Sequence, residues 1–517
     1  MATRTRKRRP QYQIQKPNGQ VTARVQSVGP EHFGVLCFDC AKARSKFMLA
    51  NFYGTPLIPP RTVEHTRGHL QAALDLVRQA QVQHQLGDLV VAIERTGEYH
   101  RPVQRACRQA GFDTRIVHPL TSKQFRQPAD PGNKTDDTDL AAIFRAAVNG
   151  FGLIEPAWPD DALQLQLLVR HRRDLVQKMS TVCVQIRECL HALMPGYAEC
   201  FADLWDSQIA LPLARVTGSP EPIRQAGGKG LLKLLVEHKL SARRDSLAKI
   251  AVWAEQATPA HPQQELLRQI LCSLDDDRLG KIQQISALER RLTRFVARTP
   301  YVLLLIIPGI NVIGAADVAG EVGPIHLYPN ANAITGRGGL VPTRYQSDGV
   351  DRPNGPIRRR ANRRLRTALM QVADNLVVCN HYFSAKAIHW RSQGKDPRWI
   401  RVKVAKIFSR LLYAMVAGRQ LFPHPCRQAS HYILHKLMEF HKGRDTPLPD
   451  VLADLDAATQ QLPRAACASE AVPLAARLKE VENRRGPQPL ADLIPIVLAR
   501  LAARSVQSES SEASGPS

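Results

Sequence analysis

Asp88-Leu-Val-Val-Ala-Ile-Glu94 is a compact, branched, apolar run with an acid at its end. Its β-rich composition and short length read as a buried strand rather than a helix. Outward toward the N-terminus, Val63, Leu70, Ala73, Leu74, Leu76 and Val77 recur at helical spacing, predicting a helix over 63–84. Before it, His32-Phe-Gly-Val-Leu-Cys-Phe-Asp39 is another apolar run that closes on an acid. Residues 45–53 read as a second strand, Gly54-Thr55-Pro56 as a turn, and Leu57-Ile58 as the start of a short third. Outward toward the C-terminus, 99–110 reads as a helix stopped by Gly111, and 114–118 as a strand before Pro119. After a loop, a further helix begins near Asp136.

The order β-β-β-α-β-α-β-α is that of a ribonuclease-H-like fold, a mixed sheet flanked by helices. In such a sheet the first and fourth strands are neighbours, so Asp39 and Glu94 come together at one edge. In Gly132-Asn-Lys-Thr-Asp-Asp-Thr-Asp-Leu-Ala141, Thr135 caps the helix and Asp136 and Asp139 lie one turn apart on one face. Taken alone, acids in a first turn also serve the helix dipole and need no chemistry. Four carboxylates from three elements, however, call for counter-charge, which Mg²⁺ (or Mn²⁺) supplies. Two such ions suit phosphoryl transfer. Asp137, between the pair, is expected to point away.

The chain has 517 residues, enough for several domains, and 44% hydrophobic content, enough for globular cores. Its 71 Lys and Arg exceed its 46 Asp and Glu, giving a formal charge of +25. Such a surplus favours a polyanionic partner, nucleic acid first. Ten cysteines show no framework of spacings, and Cys37-x-x-Cys40 has no second pair to complete a zinc site. They read as reduced, mostly buried thiols of a cytoplasmic protein. No apolar run approaches a membrane span, so no membrane is expected as a partner, and the start carries Arg4, Arg6, Lys7, Arg8 and Arg9 with no apolar stretch behind them. Residues 1–28 are expected to be a basic, flexible arm, and 29–155 the α/β domain.

Asp39, then Glu94-Arg-Thr-Gly-Glu-Tyr99, then Lys134-Thr-Asp-Asp-Thr-Asp-Leu-Ala141 resembles the DEDD, RuvC-like domain of the IS-one-ten family of insertion-sequence transposases. Leu140 and Cys37 depart from the family pattern, and neither is a carboxylate. The resemblance covers about residues 30–195 and 265–420.

Past Pro156 and Pro159 the pattern turns helical. Leu168, Leu175, Met179, Val182, Ile186, Cys189 and Leu193 form one seam, with Arg172 its one polar member. Leu271, Leu274, Ile285, Leu288, Leu292 and Phe295 form another. Two such helices suit either packing within one chain or an oligomerising coiled coil. The resemblance favours self-association, a dimer or tetramer, through a connector over 156–300 with a helical insert at 197–262.

A mainly helical domain is expected over 301–421. Ile306-Ile-Pro-Gly-Ile310 looks like the turn of a helix-hairpin-helix element, which offers backbone N–H groups to phosphate. In Gly338-Gly-Leu-Val-Pro-Thr-Arg-Tyr-Gln-Ser-Asp-Gly349, composition alone marks a polar loop, and a lone serine there is usually a turn residue. The resemblance selects Ser347, since the family's serine after a Gly-Leu-x-Pro element is held to be the nucleophile; Asp348 is an addition to its pattern. Arg358, Arg359, Arg360, Asn362, Arg363, Arg364 and Arg366 follow, and a helix over 399–420 interleaves Lys403 and Lys406 with apolar residues. These are expected to contact phosphates. Residues 422–517 read as helical fragments and a disordered tail.

The resemblance implies a DNA transposase or site-specific recombinase. Asp39, Glu94, Asp136 and Asp139 hold Mg²⁺, Ser347 forms a covalent link to DNA, and a noncoding bridge RNA pairs with target and donor. A junction resolvase using water, or a nucleic-acid-binding scaffold with a decayed site, are the alternatives.

Overall fold

The computed structural model describes residues 19–127, 132, 134–240, 242, 244–348, 350–352, 355–359, 361–421 and 432–463. The chain divides into two compact units, Met1–Ala157 and Trp158–Ser517.

The first unit opens with helix α1 (Gly19–Val28), whose Val21 and Val25 are buried against the sheet. Residues 19–28 therefore belong to the domain and not to a flexible arm; the remainder of the expected arm, 1–18, lies outside the described residues. Arg24 fixes α1 by donating from Nε to Asp88 at 2.6 Å and by an ion pair to Asp113. Strands β1 (Phe33–Cys40), β2 (Arg44–Asn51) and β3 (Pro56–Glu64) form an antiparallel meander. Helix α2 (Arg67–Gln83) leads to β4 (Asp88–Glu94), helix α3 (Arg101–Gln109) to β5 (Asp113–Val117), and helices α4 (Pro119–Arg126) and α5 (Asp136–Val148) follow. The sheet order is β3-β2-β1-β4-β5, with β1 parallel to β4 and β4 parallel to β5. This is the expected mixed sheet, with β1 and β4 side by side.

Two details differ from the sequence reading. Strand β3 is nine residues long and takes up Val63, so α2 starts later, capped by Thr66. Pro59 and Pro60 disguised it, and they are tolerated because β3 is an edge strand with one side unpaired. Helix α4 stands where the sequence reads as loop. Pro119, taken as a stop, is its first residue, where the missing N–H costs nothing.

The second unit is built on two 34-residue helices, α6 (Asp160–Leu193) and α10 (Gln264–Ala297). They pack antiparallel: Leu165 and Val169 share a core with Leu292 and Val296, while Val182 to Leu193 share another with Leu271. The two apolar seams thus face each other within one chain. Arg172, the polar member, donates from Nε to the buried Glu289 at 2.7 Å. Between them α7 (Ala210–Thr217), α8 (Pro220–Glu237) and α9 (Arg244–Gln256) form the insert, with its own core around Tyr197.

A 3-10 turn (Pro300–Ile306) and helix α11 (Val312–Val322) flank the Pro308-Gly309 hairpin, followed by α12 (Ala331–Arg337) and a two-stranded ribbon, β6 (Tyr345–Ser347) and β7 (Val350–Arg352). Helices α13 (Arg363–Cys379), α14 (His381–Ser392) and α15 (Pro397–Gly418) complete the domain expected over 301–421. Helices α16 (Tyr432–Lys442) and α17 (Leu448–Gln461) then insert Ile433, Leu437, Val451 and Leu455 into the same core. The part of 422–517 that is described is therefore integral to this unit, while the expected tail falls outside the described residues. None of the ten cysteines read as reduced is disulfide-bonded where described, and no described helix is long and apolar enough to cross a membrane.

Candidate active site

Asp39 is the penultimate residue of β1 and Glu94 the last of β4. Phe38 pairs with Ile93, so the next residues along these parallel strands, Asp39 and Glu94, are neighbours. Alternation puts Phe33, Val35 and Cys37 with Val90 and Ala92 in the core under α5, and Phe38 and Ile93 in the opposite core. Asp39 and Glu94 thus fall on the face that α5 covers.

Thr135 caps α5 in a reciprocal box with Thr138, its side chain accepting from the Thr138 N–H at 3.2 Å. From that start Asp139 shares the inner stripe with Ile143 and Ala146 and is buried, while Asp136 stays at the exposed rim. Asp137 is 61% exposed and pairs at 2.7 Å with Nζ of Lys46, which stands opposite Asp39 across β1 and β2.

The electrostatics tie the four acids together. Burial first, then the charges of Asp139 and Asp136, push Asp39 above the usual carboxylate range. Burial, then Asp39 and Asp139, push Glu94 up to about 7. The Ser122 hydroxyl and Lys134 pull Glu94 the other way. Among the described residues no three His, Cys, Asp or Glu side chains close on one point as they stand. An all-oxygen donor set in which neighbouring carboxylates push Asp39 and Glu94 up nevertheless has the chemistry that fits a hard divalent cation.

Three residues here went unread in the sequence. Arg126 of α4 is ion-paired to Asp139, and Ser122 of the same helix lies beside Glu94. Missing α4 hid both. Lys134 directly precedes the cap, and its place within the quoted Lys-Thr-Asp stretch was the available signal.

In the second unit, Ser347 ends β6, is exposed, and pairs with Val350. The connection is therefore two residues long, and Asp348 enters it with φ of 45°. Asp-Gly is the sequence such a hairpin prefers, because Asp tolerates the left-handed region. Asp348 therefore shapes the turn that presents the serine. Arg344 grips Asp351 in a fork of 2.9 and 2.6 Å across the ribbon. At its base, Gly339 has φ of 64° and no room for a β-carbon against Ala361 and Arg366.

The basic run divides in two. Arg358, Arg359, Arg363 and Arg364 are exposed, and Arg360 lies outside the described residues. Arg363 and Arg364 sit in the first turn of α13, with no acid there. Positive side chains at the positive end of a helix dipole are unfavourable unless an anion joins them. Asn362 and Arg366, by contrast, work inside the chain. Asn362 caps α13 by accepting from the Leu365 N–H at 3.0 Å. Arg366 donates to the carbonyls of Gly338, at 2.8 Å, and Arg358. These two hold the serine ribbon's base rather than extend a phosphate clamp. Lys403 is exposed and Lys406 half-buried on α15.

The Ile306–Ile310 turn has Gly309 at φ of 94°, and Asn311, directly after it, caps α11 by accepting from the Gly314 N–H at 2.7 Å. Lys436 of α16 donates from Nζ to the carbonyls of Leu305, Ile307 and Ile310 at 2.6, 3.0 and 2.8 Å.

Residues 36–195 match a DEDD family model described as Transposase, and residues 301–387 match a model described as Transposase IS116/IS110/IS902 family. The chain is 23% identical over 336 residues to the "Insertion element IS110 uncharacterized 43.6 kDa protein" of Streptomyces coelicolor, spanning 64% of this chain and 82% of that one. It is 24% identical over 272 residues to the "Insertion element IS116 uncharacterized 44.8 kDa protein" of Streptomyces clavuligerus, spanning 51% of this chain and 66% of that one.

Proposed function

The chain carries both domains of an IS110 family transposase, an enzyme of DNA transposition, and on that premise we propose that it cuts and rejoins DNA through Ser347. Asp39, Glu94, Asp136 and Asp139 would hold Mg²⁺ or Mn²⁺. The observation that carries this reading is geometric: Asp39 and Glu94 stand side by side at the ends of β1 and β4 on the face that α5, the helix bearing Asp136 and Asp139, covers. When bound, a divalent ion supplies neutralisation and Lewis acidity at phosphate oxygens.

The chain's own residues do the rest. Ser347 Oγ attacks the phosphorus of a DNA phosphodiester. The bond to one deoxyribose oxygen breaks, that oxygen takes the proton given up by the serine, and the phosphate stays esterified to Oγ. Attack by a sugar hydroxyl of a new partner reverses the step and frees the serine, so no external energy is needed. Exposed Arg358, Arg359, Arg363, Arg364 and Lys403, with Arg360 and Lys406, supply phosphate contacts. The Ile306–Ile310 hairpin adds backbone donors. A homo-oligomer, dimer or tetramer, and a bridge RNA complete the reading.

Trapping tests it. End-labelled element-junction DNA is incubated with protein and Mg²⁺, denatured and resolved. Labelled protein is expected, and it disappears with Ser347→Ala. Full cleavage by Ser347→Ala, with no adduct at any stage, would make water the nucleophile.

A further inference from the structure

Between α14 and α15 the chain builds a rigid corner around an exposed ring. Gly394 turns it with φ of 71°, and the Lys395 N–H donates to the Trp390 carbonyl at 3.0 Å. Asp396 caps α15, accepting from the N–H groups of Arg398 and Trp399 at 2.7 and 3.3 Å, and Pro397 occupies the first turn. Every backbone degree of freedom that aims Trp399 is thereby fixed.

Trp390, half-buried against the core, braces Trp399 edge to face at 5.7 Å and 88°. Trp399 itself remains 43% exposed. Lys395 and Lys403, both exposed, each place Nζ 5.8 Å from the centre of its ring. On α14 the pairing recurs, with Lys386 4.8 Å from the ring of the exposed Tyr382. Between 381 and 406 the basic side chains are Lys386, Arg391, Lys395, Arg398, Arg401, Lys403 and Lys406; Arg401 is ion-paired to Asp374, and the only acid in the stretch itself is Asp396, which is spent on its cap.

A protein partner with an apolar face would be met by this excess of positive charge and would have to neutralise it. A nucleic-acid strand answers both features at once: a base offers a π-face to the indole, and the phosphates on either side offer anions to the lysines. A duplex cannot, since its bases are stacked on one another. We infer that Trp399, flanked by Lys395 and Lys403, is a stacking platform for an unpaired base of single-stranded DNA or RNA. The platform lies beyond residue 387, where the second family match ends. It rests on the reading of the chain as a handler of nucleic acid, and not on the serine chemistry.

The test measures binding of the full-length protein to fluorescent oligo-dT, oligo-U and a blunt duplex by anisotropy. Trp399→Leu is expected to weaken binding to at least one single strand roughly tenfold or more, with duplex binding unchanged and Trp399→Phe retaining most of the affinity. Whether oligo-dT or oligo-U is the strand affected identifies the source. Equal single-strand affinity in Trp399→Leu and wild type overturns the platform, as does equal weakening on strand and duplex. A change in oligomer mass without a change in strand binding makes the face a protein contact and also overturns it. Wild-type protein that binds neither strand nor duplex overturns this inference together with the reading beneath it.

Discussion

The guanidinium of Arg126 lies against the carboxylate of Asp139, with the two side chains only 17% and 9% exposed. Arginine thus supplies the counter-charge for the most enclosed of the four acids, and a divalent ion that uses Asp139 must displace it. Arg126→Ala should lower metal-free stability by about 3–5 kcal/mol, the range for stranding one member of a largely buried pair. It should also tighten Mg²⁺ binding, because the competitor is gone. Thermal melts with and without Mg²⁺, together with calorimetric titration, read both effects.

The acids are expected to divide by position. Asp136→Asn and Asp139→Asn should abolish recombination. Asp137→Asn removes only the pair with Lys46, which adds little at a solvent-facing position, and should be tolerated. Strand-transfer assays on the three variants decide it, and equal loss in all three would reduce the stretch to helix capping.

Glu94 gives a pH dependence of definite sign. Its pKa rises from 4.5 to about 7 on folding, so between those values the folded protein keeps a proton that the unfolded chain has lost. Stability of the metal-free protein should therefore fall as pH rises through that window, with Asp39 acting in the same direction. Mg²⁺ needs the deprotonated acids, so its affinity should climb across pH 7 and offset the loss. Melting temperature against pH, with and without Mg²⁺, shows whether the two curves diverge.

Arg366 and Gly339 should behave as parts of the serine ribbon's support. Arg366→Lys keeps the charge but cannot reproduce the planar fork to two carbonyls, so covalent adduct should drop at least about tenfold, about 1.4 kcal/mol. Gly339→Ala forces a β-carbon into Ala361 and Arg366 and should cost about 1–3 kcal/mol. Adduct yield and Mg²⁺ binding measured on the same samples separate a displaced ribbon from a damaged acid site.

Lys436 ties the C-terminal helices to the Pro308-Gly309 hairpin through three carbonyls. Lys436→Met removes that charged donor, leaving the Ile307 carbonyl only the Ile310 N–H, and should destabilise the second unit by about 1–3 kcal/mol, read by denaturant unfolding.

Much of the first unit was legible from the sequence. Asp88–Glu94 was read to the residue because an apolar run bounded by acids leaves one interpretation, and Thr135 announced α5 through ordinary capping chemistry. The losses have physical reasons. Strand β3 carries prolines that only an edge permits, and α4 is short, begins on a proline and has no apolar stripe, so Ser122 and Arg126 were lost with it. In the second unit the two seams announced long helices but not their partner, because periodicity states which face is apolar and not what covers it. The run from Arg358 to Arg366 was read as one surface, yet Asn362 and Arg366 turn inward. Nothing in a sequence of like charges separates a clamp from a brace. Ser347 was singled out by resemblance alone.

The prolines of β3 carry a further consequence. Pro59 and Pro60, adjacent in this edge strand, interrupt its row of N–H donors, and Arg61 stands exposed beside them. A strand from a neighbouring copy finds an incomplete ladder to zip onto, which protects the domain from sheet-to-sheet aggregation while it waits for DNA. Were copies of this chain to meet, pairing sheet to sheet past β3 would be the least favourable way for them to do so.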